Sequence, residues 1–232
     1  MLHAEEKEMT QYHWPDAPSQ AAFPIAKAGY PFIFAAAFAT AVFALLGFAW
    51  LAVTGLLVAG FICYFFRDPD RLVPAGDGVL VSPADGKVIK VESIDQTDHF
   101  EGPCRRISVF MSIFNVHVNR IPHEGTIQKV TYHPGKFFSA NLDKASNENE
   151  HNALLLKSPN GKMIGFVQIA GLVARRILCS VQPGDSLKRG ERFGMICFGS
   201  RLDIYVSPET EVKVSVGDKV QAGSSIIANW KP

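Results

Sequence analysis

Between Pro31 and Phe66 the chain contains no Asp, Glu, Lys, Arg or His. That absence excludes an ordinary amphipathic surface helix, which would carry a polar face. Cysteine is scarce: Cys63, Cys104, Cys179 and Cys197 are the only four, and no pair has C-x-x-C spacing. A disulfide framework and a zinc-finger arrangement are therefore not indicated, and the thiols read as small buried hydrophobes in a reducing compartment. The formal net charge is only +1, so there is no basic field to attract nucleic acid. The G-x-S-x-G elbow of the α/β-hydrolases is also missing.

The uncharged stretch itself is the first positive signal. Drawn as one straight helix it would be about 54 Å long, against a hydrocarbon core of about 30 Å. Two short helices turning somewhere between Gly47 and Gly55 fit better. Ala35, Ala36, Ala37, Ala39, Gly55 and Gly60 would let them approach closely. Lys27 precedes the stretch and Arg67 and Arg71 follow it, a charge pattern that places both ends on the cytoplasmic side of a cell membrane. The polar residues before it include Glu5, Glu6 and Glu8, unlike the basic start of a secretory signal. The expected organisation is an N-terminal arm (1–29), a membrane-associated helical hairpin (30–66) and a catalytic region (67–232).

From Asp68 onward the texture changes to short apolar runs rich in Val and Ile, punctuated by Gly, Pro, Asn and Asp. "GKVIKVESI", "RRISVFMS", "GTIQKVTYH", "ALLLKS", "KMIGFVQIA", "RLDIYVS" and "EVKVSV" read as strands. The expected class is mainly β, a barrel or sandwich with the helical hairpin in front of it. A V-x-x-G-D-x-[LV]-x-x-G pattern occurs twice, at Val181–Gly190 and Val214–Gly223. Each Gly-Asp supplies a tight turn between apolar segments. Biotinyl and lipoyl carrier domains have similar turns, but no modifiable lysine stands at a matching hairpin tip here.

Cys197-Phe-Gly-Ser-Arg201 is, by itself, a turn between strands. Its chemistry permits more. The Ser200 hydroxyl can attack the carbonyl of Gly199, and a glycine there removes the Cβ that would crowd the attack. The resulting ester can eliminate, leaving dehydroalanine that hydrolyses to a pyruvoyl group with loss of ammonia. Such a step needs a base and oxyanion donors. Asp85 lies in Ser82-Pro-Ala-Asp-Gly-Lys87 and His117 in Phe114-Asn-Val-His-Val-Asn-Arg-Ile-Pro122. Each has an ordinary structural explanation, as a turn aspartate and as a packed histidine. Brought together with Ser200 they would form a triad, Asp85 orienting the imidazole and His117 taking the Ser200 proton. A membrane-anchored Ser/His/Asp hydrolase that keeps Ser200 intact, and a non-enzymatic β-sandwich binding module, remain open on these residues alone.

"FFRDPDR", "SPADGKV", "FMSIFNVHVNRIP", "YHPGKFFSA", "NENEHN" and "FGSRLDIYVS" occur in this order. Together they resemble the short bacterial and archaeal-type phosphatidylserine decarboxylases over nearly all of residues 60–210. The resemblance implies a proenzyme that cuts itself between Gly199 and Ser200 into a β chain (1–199) and an α chain (200–232) that stay associated. Ser200 would become the pyruvoyl cofactor, with Asp85 and His117 as the matching catalytic pair and no metal. The implied reaction is decarboxylation of phosphatidylserine to phosphatidylethanolamine through a Schiff base to the pyruvoyl ketone, at the inner cell membrane, with the catalytic region on the cytoplasmic side. Archaetidylserine carries the same headgroup. Longer family members have Thr where this chain has Arg201, and a second histidine, assigned to self-cleavage, where it has Arg120. Arg120, Arg175 and Lys136 are the candidate cations for the substrate phosphate or carboxylate.

Overall fold

The structure is a computed structural model that describes residues 12–13, 24–140, 148–172, 176–197 and 199–230. It divides into two compact units, one of residues 18–70 that carries the apolar helices and one that combines residues 1–17 with 71–232.

The helical unit is a hairpin of α1 (Tyr30–Leu45) and α2 (Ala49–Phe65). Pro31 sits in the first turn of α1, where its missing N–H costs nothing. The chain reverses at Leu46-Gly47-Phe48, with Gly47 at φ 77°, at the early edge of the expected window. The helices come closest at Gly55, where a Cβ would meet Thr40 Oγ1 at 2.4 Å, whereas Gly60 faces open space. Of the expected small-residue contacts, therefore, Gly55 makes one and Gly60 does not. The Thr40 hydroxyl is satisfied within its own helix, donating to Ala36 O at 2.7 Å. No residue of α1 is buried, and only Phe65 of α2 is. Lys27–Leu45 is long and apolar enough to cross a membrane.

The second unit bears out the mainly β class. Its strands are β1 (Tyr12–His13), β2 (Val73–Pro74), β3 (Val79–Val81), β4 (Gly86–Ile94), β5 (Cys104–Met111), β6 (Val118–Arg120), β7 (Gly125–His133) and β8 (His151–Lys157). They continue as β9 (Met163–Ala170), β10 (Ile177–Cys179), β11 (Ser186–Leu187), β12 (Arg192–Ile196), β13 (Ser200–Val206), β14 (Glu211–Val212), β15 (Lys219–Val220) and β16 (Ile226–Asn229). An eight-stranded sheet in the order β11-β7-β8-β9-β13-β5-β4-β15 curls into a half-barrel. Two three-stranded sheets accompany it, β10-β12-β6 and β14-β16-β3. "EVKVSV" contributes only two residues of strand, because Ser215 N is taken by the Asp218 carboxylate at 2.8 Å to start the Gly-Asp turn.

The strand pattern is internally duplicated. Gly217 N donates to Val88 O and Val88 N to Asp218 O; likewise Gly184 N donates to Ile127 O and Ile127 N to Asp185 O. β4 and β7 both bulge just after these residues, at Val88/Lys90 and Ile127/Lys129. The two copies cross each other reciprocally: Val81 N donates to Pro122 O, and Arg120 N to Pro83 O. Pro83-Ala-Asp-Gly86 and Pro122-His-Glu-Gly125 therefore occupy equivalent corners. The V-x-x-G-D repeat is the part of this duplication visible from turn chemistry, with Gly184 and Gly217 at φ 96° and 107° and Gly190 and Gly223 at 78° and 75°.

The main core lies inside the half-barrel and includes Ile107, Val109, Ile127, Leu156, Phe166, Phe193, Leu202 and Ile204. β13 runs through its middle and is buried along its whole length. Alternation sends Leu202, Ile204 and Val206, with Ser200 in phase, to this core. Arg201, Asp203 and Tyr205 take the opposite face, where Tyr205 packs with Cys104, Val167 and Ile169.

Candidate active site

Ser200 begins β13, opposite Met111 at the end of β5 and Ala170 at the end of β9. β4 starts beside them at Gly86, so Asp85 stands at the same end of the sheet as Ser200. Gly86 is required there: a Cβ would lie 2.1 Å from Phe110 O. The loops after β5 and β9 leave from this end on either side of residue 200. The first is pinned by Asn115, whose Oδ1 accepts from Ser112 N and Oγ, both at 2.8 Å.

The Ser200 hydroxyl is fully buried and has no hydrogen-bond partner among the described residues. An unsatisfied buried hydroxyl costs about 1–3 kcal/mol and calls for an explanation. Gly199 has φ 67°, in the left-handed region, with open space where a Cβ would be. Its carbonyl oxygen packs directly on Gly171, where a Cβ would come within 2.1 Å of it. Gly171→Ala therefore pushes the carbonyl that Ser200 would attack out of place. A displacement of about 1 Å is enough to slow a positioned reaction roughly 100-fold. Slow or absent cutting of the purified Gly171→Ala chain, followed by denaturing electrophoresis, is the expected outcome.

His117 is fully buried and immediately precedes β6. Its backbone oxygen accepts from Ile196 N at 3.4 Å, which ties it to the segment leading into Gly199. Two residues on, Asn119 Nδ2 lies 3.8 Å from Met111 Sδ, beside Ser200's strand partner, and Asn119 Oδ1 accepts from Gln168 Nε2 at 2.9 Å. The crossing that sets Pro83 against Arg120 carries Asp85 toward the His117 end of that segment. Asp85 is gripped on both oxygens: Oδ1 by Ala222 N at 2.7 Å and Oδ2 by Arg71 Nη2 at 2.8 Å. Ser200 and Asp85 thus stand at one end of the sheet, and His117 is bonded to the Ile196 segment that leads into Gly199.

The other named residues divide. Arg120 is buried, and its Nη1 donates to Gly190 O at 2.9 Å. Lys136 is 69% exposed and pairs with Glu148 at 3.2 Å. Arg175 and most of the N-terminal arm lie outside the described residues. His151 is on the face of the sheet opposite Ser200, stacked on its cross-strand partner His133 with centroids 4.6 Å apart and with His99 at 5.1 Å. Burial, with the neighbouring imidazoles adding to it, holds His99 and His151 below the usual histidine range. All four cysteines are free thiols, and burial pushes Cys197, three residues before Ser200, upward. Among the described residues no cluster of His, Cys, Asp and Glu is arranged to hold a metal ion.

A family model described as phosphatidylserine decarboxylase matches residues 58–228, which include all of these site residues. The chain belongs to the phosphatidylserine decarboxylase family. A protein of Syntrophus aciditrophicus named phosphatidylserine decarboxylase proenzyme is 52% identical over 208 residues, covering 89% of this chain and 97% of its own length. A Desulfotalea psychrophila protein of the same name is 48% identical, covering 88% and 95%. Another from Paramagnetospirillum magneticum is 43% identical over 98% of this chain and 92% of its own.

Two features at and around the candidate site were missed from sequence. Arg71 and Ala222 hold Asp85 from far away in the chain, and nothing in their local patterns announces it. The second P-x-[DE]-G corner was readable as a match between "PADG" and "PHEG". At that corner Glu124 is clamped by Arg189 Nε and Nη2, both at 2.9 Å. Burial pushes the Glu124 carboxyl up, but the Arg189 hydrogen bonds outweigh it and the net shift is downward.

Proposed function

We propose that the chain converts phosphatidylserine to phosphatidylethanolamine at a membrane surface, using a pyruvoyl group that it makes from Ser200. The observation that carries this reading is the buried, unpartnered Ser200 hydroxyl beside a left-handed Gly199, in a chain of the decarboxylase family. These residues fit the group. In self-cleavage the Ser200 Oγ–H bond breaks and Oγ bonds to the Gly199 carbonyl carbon as the Gly199–Ser200 C–N bond breaks. His117 takes the hydroxyl proton and Asp85 orients the imidazole. Loss of the Ser200 α-proton then expels Gly199 as a carboxylate. Water replaces the nitrogen of the remaining dehydroalanine, releasing ammonia. The pyruvoyl ketone supplies an acceptor for the substrate amine and for the electron pair left when carbon dioxide departs. β5 and β9 flank Ser200 within the sheet, and its burial keeps bulk water from that centre.

The uncharged hairpin suits the same substrate. Its outward side chains, Leu45 at 88% and Phe38 at 73% exposure, would be costly in water at about 25 cal/mol per Å² and are matched to lipid. The flanking cations Lys27, Arg67 and Arg71 support a cytoplasmic position for both ends of the hairpin and for the catalytic unit. Arg120, Lys136 and Arg175 stay the candidate cations for the headgroup. Intact-protein mass spectrometry tests the reading. It should give two associated chains, residues 1–199 and 200–232, the smaller blocked to Edman sequencing. A fully active preparation consisting of uncut chain would overturn it.

A further inference from the structure

The two equivalent corners of the fold hold their carboxylates differently. In the second corner the arginine comes from within the repeat: Arg189, in Val181–Gly190, grips Glu124 with two parallel bonds and also donates to Pro74 O at 3.1 Å. The equivalent position in Val214–Gly223 is Ala222, which offers Asp85 only its backbone N–H. The charge at Asp85 is supplied instead from outside the repeat, by Arg71, through one oxygen. The corners differ in a second respect. Where Ile196 N reaches His117 O in one copy, Trp230 N reaches Gly78 O in the other, so the position of His117 is taken by a glycine. The segment that crosses the Asp85 corner at Pro83 is the one that carries the histidine, and of the two corners that one has the imported arginine.

We infer that Arg71, the last residue of the "FFRDPDR" run, is the positioning residue for Asp85. It holds the carboxylate ionised and oriented for self-cleavage, while the Glu124–Arg189 pair serves the fold alone. The geometry favours this division. A bidentate arginine occupies both carboxylate oxygens, as at Glu124. At Asp85, by contrast, Arg71 Nη2 meets one oxygen and the Ala222 N–H the other. The Asp85 side chain is only about one-tenth exposed, so an ionised carboxylate there needs a cation. Of the charged groups near it, Arg71 bonds it directly and Arg120 packs against Gly223, next to Ala222; His117 is the titratable group it would orient. Because Ala222 lies downstream of Ser200 and Arg71 upstream, Asp85 is also held by both chains after cutting.

This rests on Asp85 acting as the orienting carboxylate, and the test separates the two ideas. The full-length chain is made by cell-free synthesis into lipid nanodiscs, and the appearance of the 200–232 fragment is timed against pH. Arg71→Met should slow cutting about tenfold or more. It should also move the acid limb of the rate up by about one pH unit, since removing a neighbouring cation raises a carboxylate pKa. Arg71→Lys should recover much of the rate, and guanidinium ion should partly rescue Arg71→Ala. These two keep the test informative if Arg71→Met misfolds. Arg189→Met, the equivalent change at the other corner, should lower the melting temperature and leave the acid limb in place. If Asp85→Asn blocks cutting while the Arg71 variants keep the wild-type rate and limb, the role of Arg71 is refuted and that of Asp85 stands. If Asp85→Asn cuts at the wild-type rate, both fall.

Discussion

Replacing Ser200 with alanine leaves a single chain of full length and removes decarboxylation, by about 10⁴-fold or more, the scale of losing a covalent catalytic group. The expectation follows from what the hydroxyl does in the fold, which is nothing structural. It is buried with no partner, so its removal relieves an unsatisfied polar group and should leave the melting temperature equal or slightly higher. Stability and activity then move in opposite directions. Electrophoresis, a thermal scan and release of labelled carbon dioxide from vesicle phosphatidylserine report the three quantities. Residual cutting between residues 199 and 200 in this variant would mean that Ser200 is not the nucleophile. A large loss of stability would mean that its hydroxyl has a structural role after all.

One residue further on, Arg201→Met should cost about 3–5 kcal/mol, the usual consequence of leaving a buried charge without its partner. Arg201 and Asp203 are both 0% exposed. Nη2 donates to Asp203 Oδ2 at 2.9 Å; Nε stands as near to Oδ1 but off the line of a good hydrogen bond. Nη1 reaches across to Ala140 O at 3.1 Å. For a chain of this size the loss corresponds to a fall of roughly 10 °C in melting temperature, read most cleanly in the uncut Ser200→Ala background. Arg201→Met with Asp203→Leu should recover most of it, because two apolar side chains in that space leave no charge stranded.

The strands of the large sheet were legible because each half-buried run alternates with period two, and "GKVIKVESI" and "GTIQKVTYH" match β4 and β7 end to end. The hairpin was legible because an uncharged run of that length has few alternatives. Its turn was located only to a window, since Gly47 and Gly55 look alike in sequence. One makes the turn and the other makes the helix contact, a distinction that depends on where Thr40 lies. "EVKVSV" illustrates the reverse error: its alternation is real, but the side chain of Asp218 takes the backbone N–H that a longer strand would need.

The site divides in the same way. Gly199, Ser200, Asp85 and His117 were nameable because their chemistry and family pattern are carried by contiguous motifs. The sequence by itself determined the helical pair, the β class and the family, and named Gly199–Ser200 as the candidate cut. Only the tertiary structure decided that the Ser200 hydroxyl is buried and without a partner among the described residues, that Gly199 packs on Gly171, and that Arg71 bonds the second oxygen of Asp85. The reason is physical. Periodicity and motifs report neighbours along the chain, whereas those contacts join residues that meet only when β4, β5, β9 and β13 end together.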